Sequence, residues 1–457
     1  MAKNKWFGTD GVRGVANTFP MTADFAMRLG SAAAQLICTK QHKVAIAKDT
    51  RISGDMLEAA LVAGFTSQGI DVICLGIIPT PALTFLTPSL NVDMSVMITA
   101  SHNPFKDNGI KLISADGSKL SDTTTAQIEQ LIEQNQFSTS ADKIGKVYTD
   151  TSSINLYKSN ALKISSSPSP LQGLKVVLDC ANGCFSSILP DIFASMGAEI
   201  SVLSNTPNGT NINLNCGSQH TENMCAKVIS SQSDIGIAVD GDGDRIIVCD
   251  EQGNRIDGDQ IIAFLGQYYH QNNLLKGNTV VATIVSNPAL DRFLANLGIS
   301  CIRSAVGERY VIEEMQKYGS NIGGEESGHM VVSDYSKTGD AMIAALTICL
   351  GLKNSGQKMS NIFPLFTPML KKHVDSRFSD NQSMQIAFEA PEFKSAIAAA
   401  EESISGHGKI LIRKSGTEPK IQVWVWSDDA DLANTINQSI TSTLTSQAGF
   451  EQTKDVL

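Results

Sequence analysis

The sequence lacks any long apolar run. None of its 457 residues fall in a stretch approaching the roughly 20 consecutive apolar positions that cross a bilayer, so no membrane-spanning helix is expected. Its first residues, Met1-Ala2-Lys3-Asn4-Lys5-Trp6, lack an apolar core, so no secretory signal peptide is expected either. No pair of cysteines has the CxxC spacing. The closest two, Cys180 and Cys184, have no second pair and no neighbouring His to complete a zinc site. The nine cysteines are odd in number and sit mostly in apolar runs such as Val72-Ile73-Cys74-Leu75, as reduced, buried thiols of a cytoplasmic protein do. Positive charge is also short: 36 Lys and Arg stand against 46 Asp and Glu, for a net charge of −10. A general nucleic-acid binder would carry a basic surface. An anionic substrate remains compatible wherever basic residues converge.

What is present is an ordinary globular composition, 42% hydrophobic and 18% charged, able to bury a core. At ~100–150 residues per domain the length predicts three or four domains. One pattern recurs three times. A short apolar strand is followed by a polar loop, a helix with apolar residues at 3–4 spacing, a Gly that ends the helix, and a second apolar strand. The first copy runs from Val44 to Leu75 with Gly69 as the stop, the second from Leu174 to Leu203 with Gly197, the third from Thr279 to Ser304 with Gly298. Buried strands read as continuous apolar runs of this kind. Three related α/β units are expected, followed by a small α+β domain built from strands at Lys409 to Ile412 and Ile421 to Trp426 and helices at Phe393 to Ile404 and Ala430 to Leu444. The expected boundaries are 1–155, 156–255, 256–368 and 369–457.

Five stretches carry chemistry. Thr99-Ala100-Ser101-His102-Asn103-Pro104 lies between the apolar strand Met94 to Ile98 and the strand Ile110 to Ile113. A loop at the end of a buried strand is where open α/β sheets bind ligands. Ser101 is a candidate covalent group carrier there, with His102 and Lys111 close in sequence; a plain surface turn would use the same residue types. Asp240-Gly241-Asp242-Gly243-Asp244-Arg245 places three carboxylates at alternate positions between two apolar strands. Such like charges suit one hard cation. Glu251 is twelfth from Asp240, as in an EF-hand, but the sixth position is Arg245 rather than Gly and the flanks are strands. Arg413-Lys414-Ser415-Gly416-Thr417-Glu418-Pro419 offers a guanidinium fork, two hydroxyls and accessible backbone N–H groups, a phosphate cradle or else a hairpin turn. Gly323-Gly324-Glu325-Glu326-Ser327-Gly328-His329 suits recognition of sugar hydroxyls, with His329 able to move a proton near neutral pH. Phe7-Gly8-Thr9-Asp10-Gly11-Val12-Arg13-Gly14 is too glycine-rich for a regular helix or strand, and Arg13 could reach a site from it. Together these supply a group carrier, a cation site and several cationic groups, the needs of phosphoryl transfer.

The same stretches, with Cys216-Gly217-Ser218-Gln219-His220 as a sixth and the first beginning at Trp6, resemble the α-D-phosphohexomutase superfamily over essentially the whole chain. That resemblance implies four domains around a central cleft, three of them related α/β units. It implies that Ser101 is a phosphoserine and that Asp240, Asp242 and Asp244, with the Ser101 phosphate, hold one Mg²⁺ per chain. Glu325 and Ser327 would contact sugar hydroxyls, and Arg413, Ser415, Gly416 and Thr417 would hold the distal phosphate. Lys111, His329, Arg13, Arg245 and His102 would assist proton transfer or stabilise charge. Within the superfamily the motifs are most similar to the glucosamine-phosphate branch. The implied reaction interconverts glucosamine 6-phosphate and glucosamine 1-phosphate through glucosamine 1,6-bisphosphate, on the route to UDP-N-acetylglucosamine and cell-wall precursors; action on mannose or glucose phosphates is the alternative. A small phosphosugar is the expected partner, with no nucleic acid and no membrane, and a homodimer is one expectation for assembly. The sequence departs from the family pattern at Gln422 and Trp426, where Arg and Glu are usual, at Glu308, where Asp is usual, and at Ala341, where Gly is usual.

Overall fold

A computed structural model describes residues 5–8, 10–137, 140–415 and 418–455. Twenty strands form four sheets among the described residues. The first contains β1 (Phe7–Gly8), β2 (Gly11–Val15), β3 (Lys43–Lys48), β4 (Asp71–Ile77), β5 (Met94–Ile98), β6 (Asp107–Ser114) and β7 (Val147–Thr149), in the order β1-β2-β6-β5-β3-β4-β7. The second contains β8 (Lys175–Asp179), β9 (Glu199–Leu203), β10 (Ile235–Val239), β11 (Ile246–Asp250) and β12 (Arg255–Ile256), ordered β12-β11-β10-β8-β9. The third contains β13 (Thr279–Thr283), β14 (Ser300–Ser304), β15 (Ile322–Gly324) and β16 (Met330–Val332), ordered β14-β13-β15-β16.

The three share one topology. A β-α-β crossover makes a parallel pair through the helices Gly54–Ser67, Ile188–Ser195 and Ala289–Asn296. A third strand (β5, β10 or β15) joins the other side of the first strand in parallel. A fourth (β6, β11 or β16) then returns antiparallel to the third. Gly69, Gly197 and Gly298 adopt φ of +80°, +90° and +75° after the crossover helices, the left-handed stop the pattern predicts.

One expectation is corrected. The glycine-rich N-terminal stretch is not irregular: β2 pairs with β6, matching Val12 to Ile110 and Arg13 to Gly109. Glycine is depleted in strands because it packs poorly, but here it permits close approach. A Cβ on Gly11 would lie 2.3 Å from the Ile110 carbonyl oxygen, at a φ of +85°. The pairing carries Arg13 to the edge of the site.

The first three units pack through one continuous apolar cluster that includes Met97, Ile113, Val176, Val239, Ile246, Val280 and Met330. The helix Ala341–Ser355 runs through it with twelve of its residues buried, as a helix apolar on all sides must. The fourth sheet contains β17 (Leu370–Phe378), β18 (Gly408–Lys414), β19 (Lys420–Ser427) and β20 (Phe450–Asp455), antiparallel throughout in the order β18-β19-β17-β20. One face packs on its own helices through Phe378, Val423 and Val425. The other face docks Trp424 and Trp426 against Ala289 and Met369.

Candidate active site

The first three sheets each send the equivalent connection to one place. It is the turn from the third parallel strand to its antiparallel neighbour, residues 99–106, 240–245 and 325–329. The Ser101 loop, the acidic loop and the Glu325 loop are therefore three copies of one structural position. All three leave the carboxyl ends of parallel strands, where such sheets place ligands.

Ser101 is buried and left-handed, with φ of +53°. Its Oγ donates to Asp240 Oδ2 at 2.6 Å, and its amide donates to Thr99 Oγ1 at 2.9 Å. His102 Nδ1 lies 3.3 Å from Ser101 Oγ. Burial, reinforced by the neighbouring Arg245, lowers the His102 pKa to about 4, so the ring is neutral at pH 7. Lys111 projects from β6 and pairs with Asp242 Oδ2 at 2.8 Å and Asp244 Oδ2 at 3.4 Å. Thr80 also holds Asp242, donating from Oγ1 to the same Oδ2 at 2.6 Å and from its amide to the Asp242 carbonyl at 2.9 Å.

Asp240, Asp242 and Asp244 are buried, and one carboxylate oxygen from each lies within 4.8 Å of the others. Among the described residues, Asp242 Oδ1 and Asp244 Oδ1 have no hydrogen-bond partner. Unpaired buried carboxylate oxygens are costly. Burial pushes the Asp240 carboxyl well up, and Asp244 and Asp242 add like charge. For Asp242, burial acts in the same direction, but Lys111 outweighs it and holds the carboxyl well below the usual range. This donor set, hard oxygens with two free and a surplus of negative charge, fits a divalent cation. Two buried donors face the opposite way in chemical character: Arg13 Nε and Arg245 Nε have no acceptor among the described residues. Arg13 Nη2 pairs with Asp10 at 2.9 Å, and Arg245 Nε lies 3.8 Å from Asp244 Oδ1.

His329 sits beside Arg245 through an isolated antiparallel bridge. Its Nε2 is 3.1 Å from Glu308 Oε1, and its Nδ1 is 3.9 Å from Glu325 Oε2. Burial lowers its pKa, but the Glu308 and Asp244 carboxylates outweigh that and carry it to about 9. The ring is therefore an imidazolium at neutral pH. Its space comes from Gly339, where a Cβ would lie 1.8 Å from the imidazole Cδ2. Glu308 also accepts from the Gly339 amide at 3.0 Å and from Thr338 Oγ1, and pairs with Lys119 at 2.7 Å. Lys119 in turn pairs with Asp10 at 2.7 Å. His329, Glu308, Lys119, Asp10 and Arg13 thus form an alternating belt of charge from the third unit to the first.

Glu325 Oε1 accepts from the Gly307 amide at 2.9 Å, and Ser327 is exposed at the loop tip. Glu326 forms an ion pair with Lys371 of β17, tying this loop to the fourth domain. In that domain the Arg413 guanidinium lies 6.0 Å from the Trp424 ring centre. Ser415 donates its amide to the Lys420 carbonyl at 2.9 Å and accepts from the Glu418 amide at 3.2 Å. Gly416 and Thr417 lie outside the described residues. Among the described residues no hydrogen bond or ion pair joins Arg413 or Ser415 to the Ser101 cluster. The departures at Gln422 and Trp426 have plain local reasons. Gln422 faces Arg413 across the sheet and donates to Asp375 Oδ1 at 3.0 Å. Trp426 is fully buried against the third unit.

Sequence reasoning missed Thr80, Asp10 and Lys119, and passed over Asp49, Arg51 and Asn213, which hold the Ser101 loop. Asp49-Thr50-Arg51 follows β3 directly, so the rule that placed Ser101 at the end of a parallel strand also pointed to it.

A cluster of serine, acidic triplet, lysine and arginines at the meeting of three repeated α/β units has the charge and donors that phosphoryl transfer needs. The chain belongs to the phosphoglucomutase/phosphomannomutase family, whose alpha/beta/alpha domains I, II and III match residues 4–139, 154–253 and 257–369, and whose C-terminal domain matches 374–442. Within that family it is similar to phosphoglucosamine mutases. The Paramagnetospirillum magneticum enzyme is 44% identical over 449 residues, 97% of this chain and 99% of the relative. The Granulibacter bethesdensis enzyme is 45% identical over 435 residues, 94% of each. A solved structure of a phosphoglucomutase/phosphomannomutase family protein from Burkholderia thailandensis shares the fold, with a TM-score of 0.82, 22% identity and 98% of each chain covered.

Proposed function

We propose that the chain interconverts glucosamine 6-phosphate and glucosamine 1-phosphate, with Ser101 as the phosphoryl carrier, at the step that leads towards UDP-N-acetylglucosamine. The observation that carries the Ser101 role is its hydroxyl at 2.6 Å from Asp240, inside a buried acidic triplet and beside Lys111. The glucosamine specificity rests on the similarity to phosphoglucosamine mutases over nearly the full chain.

In the forward direction the phosphoryl group leaves Ser101 Oγ as the sugar O1 attacks phosphorus. The Oγ–P bond breaks, the O1–P bond forms, and glucosamine 1,6-bisphosphate results. After reorientation of this intermediate, Ser101 Oγ attacks the phosphorus on O6, the O6–P bond breaks, and glucosamine 1-phosphate remains. The proton lost by O1 in the first half is balanced by the proton gained at O6 in the second.

Asp240, Asp242 and Asp244 would hold one Mg²⁺ together with the Ser101 phosphate; when bound, that ion neutralises phosphoryl charge. Lys111 balances the triplet. Arg13 Nε and Arg245 Nε, buried without acceptors among the described residues, offer donors to anionic oxygens. The His329 imidazolium adds fixed positive charge beside Arg245. Neutral His102 faces Ser101 Oγ from 3.3 Å and adds no charge there. Glu325 and Ser327 would read the sugar hydroxyls, while Arg413 and Ser415, with Gly416 and Thr417, would hold the idle phosphate. Nine unpaired cysteines support a reducing, cytoplasmic setting. No helix among the described residues is long and apolar enough to cross a membrane.

Turnover of glucosamine 6-phosphate, mannose 6-phosphate and glucose 6-phosphate, compared side by side, tests the assignment. Glucosamine 6-phosphate is expected to be used best, and equal or better use of mannose 6-phosphate overturns the specificity. Ser101→Ala is expected to abolish turnover; activity at the wild-type level would overturn the mechanism.

A further inference from the structure

Arg51 touches none of the groups assigned a chemical role above through its own charge, yet its side chain is fully buried and fully bonded. Its Nε donates to Asp49 Oδ2 at 2.8 Å. Its Nη1 donates to the carbonyls of Pro104 and, at 3.0 Å, Asp107. Its Nη2 donates to the carbonyls of Ser101 at 2.9 Å and Asn103 at 2.8 Å. All five guanidinium N–H groups are thereby used, four of them on backbone oxygens of the Ser101 loop and the residue that ends it. Asp49 works on the same loop, accepting from Thr99 Oγ1 at 2.7 Å, while Thr99 Oγ1 accepts from the Ser101 amide.

A second clamp comes from the neighbouring unit. Asn213 Nδ2 donates to the same carbonyls of Ser101, at 2.9 Å, and Asn103, at 3.1 Å. That amide also lies against the acidic loop: a Cβ on Gly241 would sit 2.9 Å from Asn213 Nδ2. One pair of carbonyls is therefore held from both the serine-bearing unit and the acidic unit.

The held loop contains a conformation that needs holding. Ser101 is a non-glycine residue at φ +53°, a region that L side chains disfavour and that persists where surroundings over-determine it. We propose that Arg51, assisted by Asn213, is a positioning residue for phosphoryl transfer: by gathering the loop's carbonyls, it keeps Ser101 left-handed with Oγ presented to Asp240. This inference rests on the reading of Ser101 as the phosphoryl carrier. Lysine cannot replace Arg51, because a single ammonium has three donors and no fork to span four carbonyls.

The test is the single-turnover transfer of phosphate from glucosamine 1,6-bisphosphate to dephosphorylated Ser101, in the full chain with Mg²⁺, followed by quench and intact mass. Rate constant and amplitude are read separately. Misplacement of a reacting group by about 1 Å can cost roughly 100-fold in rate, and Arg51→Lys is expected to lose rate on that scale at unchanged amplitude. Asn213→Ala is expected to lose rate in the same direction by a smaller factor. A merely structural role would lower the amplitude, as fewer molecules fold, and leave the rate constant of the folded fraction unchanged; that result overturns the inference. If Arg51→Lys does not fold, Asn213→Ala decides alone, and a wild-type rate constant in it overturns the proposal. Wild type that never acquires phosphate at Ser101 would instead sink the carrier reading, and this inference with it.

Discussion

Replacing Glu308 by Gln removes the carboxylate that sets the charge of His329 while keeping the volume and the acceptor for Thr338 and Gly339. In the native chain the His329 pKa is raised from the ordinary 6.5 to about 9. A shift of that size corresponds to about 3 kcal/mol of linked stability. The sign follows from the direction. A group that holds its proton more tightly folded than unfolded contributes in full below the unfolded pKa of 6.5, and loses that contribution as pH rises through 9. Glu308 itself is held well below the usual carboxylate range by Lys119 and His329 against the effect of burial, so it stays ionised across this window. Urea unfolding of both proteins across the same pH range measures the effect. The stability advantage of wild type over Glu308→Gln is expected to shrink between pH 6.5 and 9, by the share of the His329 shift that Glu308 supplies. Any pH-independent remainder reports the lost pair with Lys119. In parallel, the imidazole proton resonance of His329 is expected to titrate near 9 in wild type and clearly lower in the variant. A difference in stability that is flat with pH, or a variant His329 that titrates as in wild type, would refute the pairing as the cause.

Three further outcomes follow from the same contacts. Lys111→Met strands the Asp242 and Asp244 carboxylates without their buried ammonium, and should cost about 3–5 kcal/mol in urea unfolding together with the loss of turnover; an undiminished stability would show the pair to be dispensable. Chelation by EDTA should abolish turnover and added Mg²⁺ should restore it, while Asp242→Asn should raise the Mg²⁺ concentration needed; a wild-type Mg²⁺ requirement in that variant would remove Asp242 from the site. Trp426→Ala empties the contact with Ala289 and Met369, and should destabilise the fourth domain by about 3–5 kcal/mol, seen by calorimetry as an earlier, separate transition; a single unshifted transition would contradict the docking role.

Much of this arrangement was legible in the chain because it depends on local pattern. Continuous apolar runs bounded by glycine announced β3, β8 and β13 and their partners, since a strand buried on both faces has no polar alternation to obscure it. The acidic triplet was legible because three carboxylates at alternate positions between buried strands repel one another unless a cation joins them. What escaped was set by contacts between distant segments. The strand β2 was hidden because its glycines read as breakers, and only the pairing with β6 reveals that they are spacers against the Ile110 carbonyl. Glu308, Lys119 and Asp10 lie far apart in sequence, so no spacing rule brings them together. Arg51 was passed over because a lone arginine in a loop gives no sign that its partners are carbonyls in a loop distant along the chain, as they are here.

The repeated topology accounts for why such a site could form at all. One connection, the turn from the third parallel strand to its antiparallel neighbour, carries serine in the first unit, the acidic triplet in the second and the Glu325 loop in the third. Each copy needs groups the others supply. The one cation of the serine loop, Lys106, is exposed; the acidic loop holds negative charge that burial makes costly, and the third loop brings an imidazolium. Stability of the isolated units and competence of the assembled site are therefore in opposition: three buried carboxylates and two buried guanidinium nitrogens without partners among the described residues are unfavourable until a cation and an anionic substrate arrive. The clamps that cross between units, Thr80 on Asp242, Lys111 on Asp242 and Asn213 on the Ser101 carbonyl, are the contacts that hold this arrangement together beforehand. They make the interface between the first two units part of the active site rather than a boundary beside it.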